Sequence, residues 1–338
     1  MTQGFLEVQG QIPLEQFWPE GESDADTTKV KIEVGDEAFR FREHPGAEFR
    51  VTHAFDKARV RGRVSKEIID PKGRITIRLQ GVDAPELHYT PPAAKRKAEQ
   101  TAEQHRLYLE WNHKYRQHFA ESATAALKSL LEKEGVSHLP CVVWTAVEQP
   151  DDAIDTYGRL VGDILVGLEG QDQNINQWLT AAGWTVPAFY NSMSAEEIRT
   201  LLELADEART KGRGIWPELA EVVGKLDFDL RYRKSVPEDG ADDSGAVLMP
   251  KLFRRLCAWA VNRKAKMLTG SFKSYLVKKR DTCYLIDEFI EQGATAATPR
   301  NLGEFVGANG ALLARPEDLV FHEEGAKLLG PDGQAPAW

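Results

Sequence analysis

Between Arg74 and Leu79 the side chains alternate polar and apolar, the two-residue period of a strand with one buried face. Gly81 and Pro85 interrupt regular pairing, so the strand must run out into a turn that ends at Glu86. Three charged side chains are thereby grouped where a sheet ends: Arg78, Asp83 and Glu86. A guanidinium is a permanent cation whose planar fork matches a phosphate. Aspartate is a hard oxygen ligand of the kind that Ca²⁺ or Mg²⁺ takes. Glutamate is a candidate general base toward water. Taken singly, each suits a solvated surface turn. Taken together, they suit hydrolysis of a phosphate ester.

Two further stretches narrow the reading. Asp155-Thr156-Tyr157-Gly158-Arg159 leads into a second strand-like run, Leu160 to Val166. Ala205 to Lys211 reads as the end of a helix that closes on Gly214-Ile215-Trp216. In this order the three motifs resemble the staphylococcal-nuclease (thermonuclease) family, with its R-L-x-x-V-D-x-P-E, its D-x-Y-G-R and its helix closing on a tryptophan. The resemblance covers roughly residues 12–217. It implies an α+β fold, a five-stranded OB-type β-barrel with packed helices, to which the C-terminal sequence adds a small helical domain.

The resemblance also implies roles. Arg78 and Arg159 would bind the phosphate and Glu86 would activate water, as the catalytic set. Asp83, the Ala84 carbonyl and Asp26 would hold one Ca²⁺, ahead of Mg²⁺ or Mn²⁺. Asp24-Ala25-Asp26-Thr27 fits the family's D-G-D-T turn with Ala in place of Gly, and Asp24 would support the ion through water. A rival alignment uses Asp56-Lys57-Ala58, nearer to Arg78, and puts an alanine where the ligand belongs. Tyr157 and Tyr190 are the substrate-binding candidates. The implied activity is a metal-dependent phosphodiesterase or endonuclease acting on DNA or RNA with little sequence preference. The alternative is an inactive nuclease-like module that binds nucleic acid or a protein partner.

The chain divides by composition. Residues 1–220 form the expected barrel unit, with a hairpin inserted at about 43–74 and a helix at about 88–118. Residues 221–249 read as an acidic linker, and 250–338 as a basic helical region with an acidic tail. The net charge of −9 argues against a general polyanion binder, yet residues 250–281 carry ten basic side chains and one acidic. A local patch of that kind attracts a polyanion whatever the total. Such a run is either a solvated basic face or a grip on nucleic acid.

No apolar run approaches the length of a membrane span. Three scattered cysteines make neither a disulfide framework nor a zinc pattern, and Met1 to Phe5 lacks the features of a signal peptide. The expectation is a cytoplasmic protein, or a secreted one if a leader was removed. Helices are expected over Ala93–Asn112, Ala120–Glu134, Lys251–Leu268 and Ser271–Gln292, and a turn at Gly35–Glu37.

Overall fold

The computed structural model describes residues 4–32, 38–61, 64–92, 100–132, 135–168, 170–236, 240 and 243–337. The expected turn at Gly35–Glu37 and the first part of the helix expected from Ala93 lie outside these residues. So do Pro237–Asp239 in the expected linker.

In chain order the N-terminal part contains β1 (Gly4–Pro13), β2 (Thr27–Ile32), β3 (Phe39–Arg42), β4 (Arg50–Val51), β5 (Arg59–Arg61), β6 (Ser65–Glu67), β7 (Arg74–Leu79) and β8 (Gly81–Asp83). There follow α1 (Ala102–Trp111), α2 (Ala120–Leu131), β9 (His138–Val147), β10 (Leu160–Leu168), β11 (Gln171–Asn174), α3 (Ile175–Ala181), β12 (Val186–Tyr190) and α4 (Ala195–Thr210). The C-terminal part adds α5 (Pro250–Lys264), α6 (Phe272–Lys279), β13 (Thr282–Leu285), α7 (Ile286–Gln292), β14 (Arg300–Asn301), β15 (Leu319–Phe321) and β16 (Lys327–Leu329).

Five strands close a barrel. β1 pairs β2, β2 pairs β7, β7 runs parallel to β10, β10 pairs β9, and β9 returns to β1 along its whole length. Closure removes the open edges of these strands. Their alternate side chains fill the interior: Leu6, Val8, Ile12, Val30, Ile75, Ile77, Val143, Leu160 and Ile164 are all fully buried. The alternation that marks Arg74–Leu79 in sequence is therefore the inside and outside of the barrel wall.

The helices are placed by their caps and apolar faces. Thr101 and Gln104 make a capping box at the start of α1, which fixes that helix at Ala102. Ser194 and Glu197 do the same for α4, whose Ile198, Leu201, Ala205 and Ala208 are buried. The Lys251–Leu268 expectation is met by α5 as far as Lys264, where the helix ends four residues early. The Ser271–Gln292 expectation is corrected: that stretch splits into α6, β13 and α7. Arg280 adopts a left-handed conformation (φ 56°) that ends α6, and Thr282–Leu285 then pairs with β15. Strand pairing outweighs helix propensity there.

The helical C-terminal region is present and is joined to the barrel by sheet. β12 pairs antiparallel with β8 and parallel with β15, which pairs β13. β16 pairs β5 of the inserted hairpin, so the chain's last strand completes a three-stranded sheet begun by residues 59–67. Val320, Leu328, Tyr284, Ile286 and Phe289 belong to the same apolar cluster as the barrel interior. The described part of the acidic stretch is pinned by isolated bridges, Leu219 to Val247, Val222 to Ala311 and Tyr115 to Arg231.

Candidate active site

The turn after β7 is held in shape by its own backbone. Gly81 sits at φ 75°, and a Cβ there would come within 2.4 Å of Leu201 Cδ1. A side chain at that position is thus disfavoured by conformation and by space. Asp26 is locked to the same turn: its carbonyl accepts from the Leu79 amide at 2.9 Å, and its Oδ2 accepts from the Ala84 amide at 2.9 Å. Gln117 anchors the far end, accepting from the Glu86 amide at 3.0 Å through Oε1 and donating through Nε2 to the Leu248 carbonyl at 2.8 Å.

The second motif is organised by a buried aspartate. Asp155 accepts from the backbone amides of Tyr157 and Arg159, each at 2.9 Å, and from Arg159 Nε at 2.7 Å. The guanidinium is thereby oriented before any ligand arrives. Arg78 is oriented from another side. It donates to Glu323 Oε1 at 3.2 Å and to the Tyr190 hydroxyl, and its Cζ lies 4.6 Å from the Tyr190 ring centroid.

These groups face one cavity of about 1130 Å³ between the barrel and the C-terminal region. Asp24, Asp26, Arg78, Asp83, Glu86, Tyr157, Arg159 and Tyr190 all line it. Asp56 does not: it is exposed and bonded to His53 Nδ1 at 3.0 Å. Ala84 is buried beneath the lining and contributes its amide to Asp26. Tyr190, expected against a nucleotide, is buried and engaged by Arg78.

α5 supplies the roof, and with it a residue that sequence reasoning missed as part of the site. Arg254 donates to Asp83 Oδ1 at 3.1 Å, to Asp83 Oδ2 at 3.0 Å, and to Glu86 Oε1. Lys251, one turn earlier, stands 4.0 Å from the Phe321 ring centroid and 5.4 Å from that of Tyr190. A signal was available: Lys251, Arg254 and Arg255 are spaced to share one helical face.

The carboxyl groups divide by surroundings. Burial raises Asp24 well above the usual carboxylate range, helped by Asp26 and Glu86. Asp26 is raised by burial and by Asp83. Burial acts on Asp83 too, but the Arg254 guanidinium outweighs it and holds that carboxyl low. Glu86 is pushed up to about 7, by burial first, with Arg254 pulling down and Asp83 and Asp26 pushing up.

Residues 76–218 match the family model of the staphylococcal nuclease homologue. The chain thus carries a staphylococcal-nuclease-like domain. The match begins inside β7 and ends after α4, so it takes in Arg78, Asp83, Glu86, Tyr157, Arg159 and Tyr190. The first two barrel strands, Asp24, Asp26 and the α5 roof lie outside the match and are added by the fold. No curated protein matches the chain. No helix among the described residues is long and apolar enough to cross a membrane.

The nuclease-like domain can be tested against the expected calcium ion through its donors. Asp24 Oδ1 is buried with no hydrogen-bond partner, an oxygen that a hard cation would satisfy. Against it, both oxygens of Asp83 accept from Arg254. Among the described residues no three His, Cys, Asp or Glu side chains converge as a metal site. As arranged, the donors do not fit the ion while Arg254 holds Asp83.

Proposed function

We propose that the cleft hydrolyses phosphodiester bonds of nucleic acid, DNA or RNA. The observation that supports it is the convergence of two pre-oriented guanidiniums, Arg78 and Arg159, with a carboxyl that titrates near neutrality, Glu86, in one cavity of a nuclease-like domain. Glu86 takes a proton from water as the water oxygen bonds to phosphorus; the opposite P–O bond breaks, and the leaving oxygen keeps the electron pair and takes a proton from solvent. Arg78 and Arg159 face the charge that builds on the phosphoryl oxygens. Their orientation is fixed beforehand by Tyr190, Glu323 and Asp155, so little reorganisation is left for the transition state. A calcium ion at Asp26 and Asp83 would polarise the phosphoryl oxygen. It would require Arg254 to leave Asp83.

The test is cleavage of single-stranded DNA and RNA, with Ca²⁺ or with EDTA. Arg78→Lys, Arg159→Lys and Glu86→Gln should each lower cleavage by at least ~100-fold with folding intact, the usual scale for losing a transition-state donor or base. Near-normal activity in all three would remove the assignment. One observation favours a second reading, a module that binds nucleic acid without cleaving it: Arg254 occupies both Asp83 and Glu86. Binding of oligonucleotides with no cleavage under either metal condition would select it.

A further inference from the structure

The cavity holds more positive charge than hydrolysis at one phosphate requires. Arg61 and Lys66 come from the inserted hairpin, Lys251 from α5, Arg280 from the turn after α6, and Lys327 from β16. Among the described residues none of these five makes an ion pair within 4.0 Å or a side-chain hydrogen bond; Lys251 has its two aromatic faces. All but Lys251 are exposed. Glu324 is an exposed carboxylate on the same wall, whereas Glu323 is engaged by Arg78.

The arrangement runs against the stability of the fold. β5 and β16 pair antiparallel with Arg61 directly opposite Lys327. Like charges directly opposite one another on neighbouring strands are destabilising. Lys66 lies across the second motif instead of turning away, its stem so close that a Cβ on Gly158 would come within 2.7 Å of its Cε. Partial desolvation where its stem lies against the second motif lowers the Lys66 ammonium, with Asp155 opposing and Arg159 reinforcing the shift. Four segments remote in sequence therefore bring unneutralised cations to one rim. Aromatic groups stand among them: Tyr89, Tyr157 and Tyr190 also line the cavity, and Tyr157 is 44% exposed.

We infer that this rim is a binding track for the phosphates that flank the scissile one, and that its ligand is a single-stranded polynucleotide. The inference rests on the nucleic-acid reading above and names the substrate class for it. Cations along a groove with interspersed aromatic rings bind single strands, phosphates to the cations and bases to the rings. The volume of about 1130 Å³ is near the upper end of small-ligand pockets and admits a few nucleotides. Rings set among the cations favour unpaired bases over a duplex, whose bases are already stacked, and the contacts are sequence-independent because they address phosphates.

The experiment is fluorescence anisotropy of a labelled twelve-nucleotide single strand in EDTA, over a series of salt concentrations. The proteins are the full chain and the triple variant Arg61→Gln, Arg280→Gln, Lys327→Gln. Each lost phosphate contact removes about 0.7 from the slope of log K against log salt, so the triple variant should lose about 2 from that slope. Its Kd should weaken at least ~10-fold at low salt. A control triple with exposed cations outside the cavity, Lys72→Gln, Lys225→Gln, Lys278→Gln, should bind as the wild type does. Arg61→Lys combined with Lys327→Arg should retain the slope.

An unchanged Kd and slope in the first triple overturn the track, as does an equal loss in the control. A duplex of the same length bound as tightly as the single strand overturns the substrate class. Wild-type protein that cleaves a small diester such as bis(p-nitrophenyl) phosphate, yet binds no strand, overturns this inference and leaves the hydrolase. Protein that binds the strand with the expected slopes and cleaves nothing supports the track and removes the hydrolase.

Discussion

At Glu86 two opposing fields meet. Burial and the neighbouring carboxylates raise it while Arg254 pulls it down, and it settles at about 7. As the proposed base it must be unprotonated, so turnover should rise with pH and level off above about 7. Stability should move the other way. The folded carboxyl keeps its proton to a higher pH than the unfolded one, so its contribution is full below 4.5 and is lost as pH rises through about 7. Thermal melts at pH 5 and pH 8 check this: wild type should lose more stability between them than Glu86→Gln. Arg254 sets a second expectation at this scale. Any dication using Asp83 must displace its guanidinium, and breaking a buried ion pair costs up to about 3–5 kcal/mol. In calorimetry Arg254→Ala should bind Ca²⁺ at least ~10-fold more tightly than wild type. Equal affinities would mean that Asp83 is not a ligand.

Among the elements, the inserted hairpin and α5 do most to turn an OB-type barrel into a roofed site. Gly158 is where hairpin and second motif touch. It sits at φ 77°, and a Cβ would lie 2.8 Å from Val60 Cγ1 and 2.7 Å from Lys66 Cε. Gly158→Ala should therefore cost about 1–3 kcal/mol in urea denaturation, with the conformational and steric penalties combined. An unchanged midpoint would show that the hairpin yields freely.

Much at this scale was legible in sequence, because local chemistry governs it. The Arg78–Glu86 turn rests on Gly81, and the Asp155–Arg159 turn rests on one aspartate side chain binding its own backbone. The roof was not legible. β13, β15 and β16 are three or four residues long, too short for a period to show, and their partners β12 and β5 are remote. The ten cations of 250–281 were visible as a run. Which of them face the cavity is set by the rotation of α5 and by the break at Arg280, both products of packing.

On the scale of the molecule, the C-terminal region is a structural part of the barrel unit. Removing residues 250–338 strips β15 from β12 and β16 from β5, and uncovers Val320 and Leu328 contacts deep in the shared core. The truncated chain should lose its cooperative melt by circular dichroism and expose apolar surface to dye. A truncation that melts near the wild-type temperature would show an independent barrel. A buried pair beside Gln117 contributes similarly. Arg116 and Glu121 are 3.0 Å apart and essentially inaccessible to solvent. Arg116→Ala leaves a buried carboxylate without that cation, so about 3–5 kcal/mol of stability should be lost in denaturant titration.

The pairing of β16 with β5 has a consequence in time. A chain leaves the ribosome from its N-terminal end, and domains fold as their parts emerge. Arg78, Glu86 and Arg159 are made long before Arg254, and residues 327–329 that close the hairpin sheet come later still. During synthesis the half-made protein hangs beside a large mass of RNA. Its cleft has no roof and an unfinished cationic rim until α5 and β16 have emerged. Order of manufacture thus completes the roofed cleft only after residues 327–329 have emerged, well after Arg78, Glu86 and Arg159 have been made.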